Sequence, residues 1–271
     1  MDVMIVPSHQ DLAELGASLI AQLLIEKPSA VLGLATGSTP IAIYQHLVRL
    51  YQSGDISFKE VTTFNLDEYV GLSPKNEQSY SSFMRRELFD QVDVDLEKTH
   101  LPVCSNSQNP RAVGKSYEAL IQRCGGIDLQ ILGIGSNGHI GFNEPGSSLS
   151  SRTRIKTLTE STVKDNSRLF KSTEFQPRLA MTMGIQTILD ARRVLLFASG
   201  EKKARAVHAA VEGPLTASCP ASSLQLHERA TLVVDEAAAR DLEHSAYYRW
   251  SNEQNKTVVS KYGFFHELTD W

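Results

Sequence analysis

The chain has 271 residues, of which 27 are basic and 31 acidic, and its formal net charge is −4 at pH 7 with histidine neutral. Hydrophobic residues make up 41 % and charged residues 21 %, which excludes a disordered chain and is typical of globular proteins. The sequence holds no long basic cluster and no apolar run of membrane-spanning length, which argues against nucleic-acid and membrane partners. Its three scattered cysteines show no disulfide framework and favour a cytoplasmic location.

Short β-branched runs alternate with helical patterns along the chain, as is typical of βαβ units and a largely parallel sheet. Strands are predicted at residues 3–6, 30–34, 61–66, 129–133, 193–198 and 231–234. Helices are predicted at residues 10–25, 41–51, 81–92, 112–123 and 202–211. Because no linker divides these elements, we expect one α/β domain over residues 1–271, in which a divergent tail begins near residue 251.

The residues that follow each strand are the most informative, because ligands of an open parallel sheet bind at the carboxyl ends of its strands. The first such junction is Thr36-Gly37-Ser38-Thr39, between a strand and a helix. Backbone amides at a helix N-terminus bind anions, so this segment is a candidate phosphate site. The alternative is an ordinary helix cap, for which serine and threonine are preferred.

A pair of carboxylates, Asp67 and Glu68, closes the third predicted strand. Neighbouring side chains of an extended segment point to opposite sides, so only one of the two can face a ligand at the sheet edge. The other is expected to be structural. A cap on the following segment is the alternative interpretation for Asp67.

The glycines at positions 133, 135 and 138 follow a predicted strand in the spacing of dinucleotide-binding proteins. We reject that function because Asn143, Pro145 and Gly146 prevent the long helix that the fingerprint requires. The pattern instead indicates a glycine-rich turn that carries His139 and Glu144 close to a ligand. Histidine titrates near neutral pH, and a nearby carboxylate orients it, so these two residues form a candidate acid/base pair.

Two basic residues, Arg168 and Lys203, are candidates to neutralise a phosphate dianion. Solvated surface groups are the alternative for both. The sequence shows no metal-ligand spacing, so we expect no required metal.

Five segments together resemble the glucosamine-6-phosphate deaminase (isomerase) family. They are LATGSTP at 34–40, FNLDEYVGL at 64–72, SYSSFM at 79–84, GSNGHIGFNEP at 135–145 and SRTRIKTL at 151–158. The resemblance implies a modified Rossmann-type α/β fold, with a largely parallel sheet flanked by helices. It also implies an enzyme that converts glucosamine 6-phosphate and water to fructose 6-phosphate and ammonia without a cofactor.

The resemblance further implies roles for individual residues. Asp67 is similar to the base that moves a proton between C2 and C1 of the open-chain sugar, and His139 to the group that opens the ring. Glu144 would tune His139, and Asn137 occupies a position where relatives carry either aspartate or asparagine. The residues implied in phosphate binding are Thr36, Gly37, Ser38, Thr39, Arg168 and Lys203.

A regulatory site is implied in the same way. Ser147, Arg154 and Lys156 match positions that bind the activator N-acetylglucosamine 6-phosphate between subunits of hexameric members, which makes an allosteric homo-oligomer the expectation. Other members are unregulated monomers, and solvated cations on a strand are the alternative for Arg154 and Lys156. The aromatic residues of the tail are expected to dock on their own subunit or a neighbour, and the polar stretch 157–176 is a candidate lid.

Three other functions stay open at this point. A galactosamine-6-phosphate deaminase performs the same proton transfers on the C4 epimer, a 6-phosphogluconolactonase shares the broad fold, and a sugar-phosphate sensor binds without turnover. The intact segment from His139 to Pro145 argues against the lactonase. The lack of an appended DNA-binding region argues against the sensor.

Overall fold

The computed structural model describes residues 1–159 and 177–262, and the side chains as far as residue 255. Its main layer is a seven-stranded sheet in the order β1-β10-β9-β6-β2-β3-β5, in which every neighbouring pair is parallel. The strands are β1 Asp2–Val6, β2 Val31–Leu34, β3 Thr62–Asn65, β5 Thr99–His100, β6 Leu129–Gly133, β9 Val194–Ala198 and β10 Ala230–Asp235. The largely parallel α/β fold predicted from the sequence is confirmed.

Eight helices are described, and they flank this sheet. They are His9–Glu26, Ser38–Gln52, Tyr80–Glu87, Pro110–Arg123, Ile185–Leu189, Ala204–Val211, Glu236–Ala239 and Ser245–Tyr262. The helix predicted at 81–92 ends at Glu87, because a separate 3-10 turn, Phe89–Gln91, follows it. No helix in the described ranges is long and apolar enough to cross a membrane.

The core lies on both faces of the main sheet. All residues of β2, β9 and β10 are buried, as expected for parallel strands that are covered by helices on each side. Large side chains such as Tyr44, Phe64 and Phe197 have almost no exposed surface. This packing holds the carboxyl ends of the strands, where the candidate site residues lie, in fixed positions.

A second sheet of three short antiparallel strands was not predicted from the sequence. It consists of β4 Asp67–Tyr69, β7 Arg154–Thr157 and β8 Leu179–Thr182, in the order β4-β8-β7. The prediction that Asp67 and Glu68 close the third parallel strand is wrong, because that strand ends at Asn65. These two carboxylates instead begin the second sheet.

Leu66 is the residue at which the chain passes from one sheet to the other. Its amide donates to the carbonyl of Leu34 in β2 at 3.0 Å, and its carbonyl accepts from the amide of Met183, just after β8, at 2.7 Å. Asp67 therefore lies at the boundary between the two sheets.

The C-terminal helix Ser245–Tyr262 runs through residue 251, where the divergent tail was expected to begin. It is held by the Asn252 side chain, which donates to the Val3 carbonyl of edge strand β1 at 2.7 Å, and by Tyr248, which donates to Glu212 at 3.1 Å. The predicted docking of the tail aromatics concerns residues whose side chains lie outside those described, and so does most of the predicted lid.

Gly114→Ala is expected to destabilise the protein, because the added Cβ would lie 2.4 Å from the carbonyl oxygen of Thr153, which precedes β7. Since a backbone oxygen cannot swing away, we expect the free energy of unfolding to fall by about 1–3 kcal/mol, which outweighs the roughly 1 kcal/mol of helix propensity gained. Urea unfolding measures the change. Lys115→Ala, at an exposed position of the same helix, is the control, and equal stability of the two variants would contradict the close packing.

Candidate active site

The candidate phosphate loop connects β2 to the helix Ser38–Gln52. Gly37 is the N-cap residue, with φ of +113°, and among the described residues no side-chain hydrogen bond caps this helix. The serine or threonine cap that was the alternative is therefore not formed. The first-turn amides keep their hydrogen-bonding capacity at the positive end of the helix dipole, which suits an anion.

Lys203 brings a positive charge to the same edge of the sheet. It ends the 3-10 turn Glu201–Lys203 after β9, and its Nζ donates to the carbonyl oxygen of Ile134, just after β6, at 2.6 Å. Since β6 lies between β2 and β9, the phosphate loop and this ammonium group converge on neighbouring strand ends. Arg168, the other predicted cation, lies outside the described residues.

The loop after β6 turns repeatedly instead of forming a helix. Gly138, Gly141 and Gly146 have φ values of +84°, +55° and +85°, which favour glycine. This geometry supports the rejection of a dinucleotide site. Gly135 has a different role, because a Cβ there would lie 2.2 Å from Cε1 of His139, so the imidazole ring packs directly on the glycine backbone.

This loop assembles the predicted acid/base group of His139, Asn137 and Glu144. The imidazole Nδ1 lies 3.3 Å from Oε2 of Glu144, at ion-pair distance but without the alignment of a hydrogen bond. The Asn137 amide donates to the same Oε2 at 2.8 Å, and its oxygen accepts from the His139 backbone amide at 3.2 Å. The buried carboxylate of Glu144 is thus fixed beside the imidazole by a neutral side chain.

Asp67 is the second candidate acid/base group. Its side chain is buried, and burial, together with the nearby charge of Glu68, raises its pKa to about 8. A Cβ on Gly141 would lie 3.3 Å from Asp67 Oδ2 and 3.0 Å from Thr182 Oγ1, so a glycine at this position allows the loop to approach the carboxyl. The structure therefore brings Asp67 against the same loop that carries His139 and Glu144.

Glu68 points away from that loop, as expected for a neighbouring residue on a strand. It accepts hydrogen bonds from the first amides of the helix Tyr80–Glu87. Tyr80 was not singled out from the sequence, yet its hydroxyl donates to the hydroxyl of Tyr69 at 3.2 Å. No spacing signal pointed to it, because the contacts join separate segments.

The residues predicted to bind an activator lie on the segment that follows β6 and on strand β7. Ser147 is buried, and its hydroxyl has no hydrogen-bond partner in the described part of the chain. Arg154 donates to the Asn143 side-chain oxygen at 2.9 Å, and burial lowers the pKa of this guanidinium. Lys156 is two residues along β7, on the same face of the strand.

These features together define a class of protein. An uncapped helix N-terminus beside a lysine suits a phosphate group, and a buried carboxyl of raised pKa near a histidine–carboxylate pair suits proton transfer. Among residues 1–159 and 177–255 no cluster of three or more acidic, histidine or cysteine side chains forms a metal site. The site is thus that of an α/β enzyme that performs acid/base chemistry on a small phosphorylated molecule.

Comparisons with known proteins identify the family. The family described as glucosamine-6-phosphate isomerases/6-phosphogluconolactonase matches residues 8–233, and the chain belongs to it. The glucosamine-6-phosphate deaminase of Colwellia psychrerythraea is 58 % identical over 266 residues, which cover 98 % of this chain and 99 % of the relative. That of Pseudoalteromonas translucida is 52 % identical over 268 residues, covering 99 % and 100 %. The resemblance seen in the sequence is confirmed.

Solved structures agree with this assignment. A monomeric glucosamine-6-phosphate deaminase is 44 % identical and superposes with a TM-score of 0.85, over 89 % of this chain and 100 % of that one. A 6-phosphogluconolactonase from Leishmania guyanensis reaches a TM-score of 0.67 at 21 % identity, over 88 % and 97 % of the two chains. This second likeness concerns the fold alone.

Proposed function

We propose that this chain converts glucosamine 6-phosphate and water to fructose 6-phosphate and ammonia. The observation that carries the proposal is the approach of Gly141 to Asp67, which sets a buried carboxyl of raised pKa against the loop of His139 and Glu144. The reaction needs two proton transfers at separate places on the sugar, at the ring oxygen and at C2. The site offers two separate acid/base groups for them.

The 6-phosphate binds at the helix N-terminus that Thr36, Gly37, Ser38 and Thr39 form. The uncapped first-turn amides donate to the phosphate oxygens, and Lys203 contributes positive charge from the end of β9. Arg168 belongs to this set by resemblance. Holding the sugar by its phosphate orients C1 and C2 without involving the phosphate in the reaction.

His139 opens the pyranose ring by transferring a proton at the ring oxygen. The carboxylate of Glu144, 3.3 Å from Nδ1, orients the imidazole ring for this transfer. Asn137 holds Glu144 in place through the 2.8 Å hydrogen bond but adds no charge of its own. Because Asn137 is a neutral amide, the carboxylate at ion-pair distance from the imidazole is that of Glu144.

Asp67 takes the proton from C2 of the open chain and returns it at C1. A base works best when its pKa lies near the working pH, and the pKa of about 8 brings this carboxyl into that range. Together with transfer of one proton from the nitrogen to the C1 oxygen, this shift from C2 to C1 leaves C2 double-bonded to nitrogen. Water adds to the imine carbon and ammonia leaves, so that the water oxygen becomes the carbonyl of fructose 6-phosphate. Positioned acids and bases contribute about 10²–10⁴-fold to each such transfer.

Ser147, Arg154 and Lys156 form the proposed site for N-acetylglucosamine 6-phosphate in a homo-oligomer. The Ser147 hydroxyl, which has no partner among the described residues, and the partly buried Arg154 guanidinium are groups that a sugar phosphate satisfies. Arg154 donates a hydrogen bond to Asn143, which belongs to the same loop as His139 and Glu144. Occupation of this site therefore has a short physical route to His139 and Glu144.

Production of ammonia and fructose 6-phosphate is the direct test of the proposal. We expect equimolar products from glucosamine 6-phosphate, less from galactosamine 6-phosphate, no effect of a chelator, and half-maximal rate at lower substrate concentration when N-acetylglucosamine 6-phosphate is added. Binding of glucosamine 6-phosphate without ammonia release would support a sensor. Hydrolysis of 6-phosphogluconolactone in place of deamination would support the lactonase.

Asp67→Asn is expected to abolish turnover while substrate binding is retained, and also to change stability. The pKa of Asp67 rises from its ordinary 3.8 to about 8 on folding. The stabilisation by the protonated carboxyl is fully present below about pH 4 and is lost as the pH rises through about 8, because the unfolded chain releases its proton first. We expect the variant to melt roughly 3–10 °C above the unaltered protein at pH 8, with a smaller difference at pH 5. Asp55→Asn, at an exposed carboxyl, should show no such trend.

Gly135→Ala should impair catalysis by displacing the His139 ring, which a Cβ would approach to 2.2 Å. Displacement of a reacting group by about 1 Å costs on the order of 10²-fold in rate, so we expect a fall of that size in kcat. Gly133→Ala is the matched control, because no atom of the described residues lies within 4 Å of its Cβ position. Steady-state kinetics of both variants decide the matter, and equal activity would show that the ring position is unimportant.

A further inference from the structure

Glu68 is a buried carboxyl that the mechanism above does not use. Its side chain is only 1 % exposed, although it lies one residue from the proposed base. Oε1 accepts from the amides of Tyr69 at 2.9 Å and Tyr80 at 3.1 Å. Oε2 accepts from the amide of Ser81 at 2.9 Å and its hydroxyl at 2.8 Å.

These four contacts favour the ionised form of Glu68. Three of the donors are backbone N–H groups, which cannot accept a proton, so both carboxyl oxygens must act as acceptors. Burial raises the pKa of Glu68, and the four hydrogen bonds oppose that rise. The geometry therefore describes a carboxylate anchored at the N-terminus of the helix Tyr80–Glu87, which itself favours negative charge.

The other described groups that interact with Asp67 are uncharged, so the charge of the Glu68 carboxylate is not offset. The charge of Asp67 also acts on the phenols of Tyr69, Tyr80 and Tyr117 and helps to raise their pKa values. Phenols are neutral at physiological pH, and neither Gly141, which approaches Asp67, nor Thr182, its partner in β8, carries a charge. Among the described residues, Glu68 is thus the carboxylate whose charge raises the pKa of Asp67.

We propose that Glu68 is a positioning residue for the proton transfer at C2, a fixed negative charge that makes Asp67 a stronger base than burial alone would. The proposal deepens the proposed function, since it rests on Asp67 as the base. A purely structural Glu68 would serve only to hold the N-terminus of the helix Tyr80–Glu87 through the amides of Tyr80 and Ser81. Loss of that role would lower stability without moving the pH profile.

The test is the pH dependence of kcat/KM for Glu68→Gln, which keeps the shape of the side chain and removes its charge. We expect the midpoint of the acid limb to fall by about 1 pH unit, because the like charge on the adjacent residue is removed. At high pH we expect kcat to fall by about 3- to 10-fold, because the base is weaker. The ionisations of the substrate are the same for every variant and cancel in the comparison.

Two further variants separate charge from structure. Ser81→Ala removes one donor and leaves the charge, so its acid limb should stay where it is in the unaltered protein. Glu68→Asp restores the charge on a shorter side chain, so its acid limb should also stay there even if kcat falls. An unshifted acid limb in Glu68→Gln, or a shift of the same size in Ser81→Ala, would overturn the proposal.

A measurement on the unaltered protein covers the case in which Glu68→Gln does not fold. Carbon-13 spectra of the labelled side-chain carboxyls, assigned with Asp67→Asn and Glu68→Asp, follow both titrations directly. We expect Glu68 to remain ionised over the pH range in which Asp67 titrates, and a protonated Glu68 in that range would overturn the proposal. This result does not depend on turnover, so failure of the proposed function is recognised separately by the absence of ammonia release.

Discussion

The passage of the chain through Leu66 is the constraint on which the site depends. One hydrogen bond ties Leu66 to β2 of the parallel sheet and the other ties it to the end of β8 in the antiparallel sheet. The next residue, Asp67, is consequently buried where two sheets meet, without the solvent that a carboxyl at an open strand end would have. Its chemistry follows from this position, because removal of water is the main reason that its pKa is raised.

The sequence was sufficient to predict the part of the site that follows from parallel strand ends. Thr36, His139 and Lys203 each follow a strand of the main sheet, and local patterns of glycine, hydroxyl and charge mark them. The second sheet was missed because β4, β7 and β8 have only three or four residues each, too few for a periodic signal. The true surroundings of Asp67 were missed for the same reason.

The sequence also did not predict contacts between distant segments of the chain. The Tyr80 hydroxyl bonds to Tyr69 of β4, and the Asn143 side chain joins the loop after β6 to Arg154, but neither residue has a spacing that predicts its partner. The family resemblance added roles to residues already noticed, such as Asp67 and His139. The 6-phosphogluconolactonase of Leishmania guyanensis shares this fold, so the architecture alone does not identify the reaction, and function must be inferred from the site residues.

The contact between Asn252 and Val3 also has a consequence for association between molecules. β1 is the outer strand at one side of the main sheet, and its five residues offer backbone groups to which another strand could add. The C-terminal helix Ser245–Tyr262 packs along this strand and occupies one of its carbonyls. A chain cut before Ser245 would present this strand uncovered and would be prone to edge-to-edge aggregation, even though every residue of the proposed catalytic group would still be present.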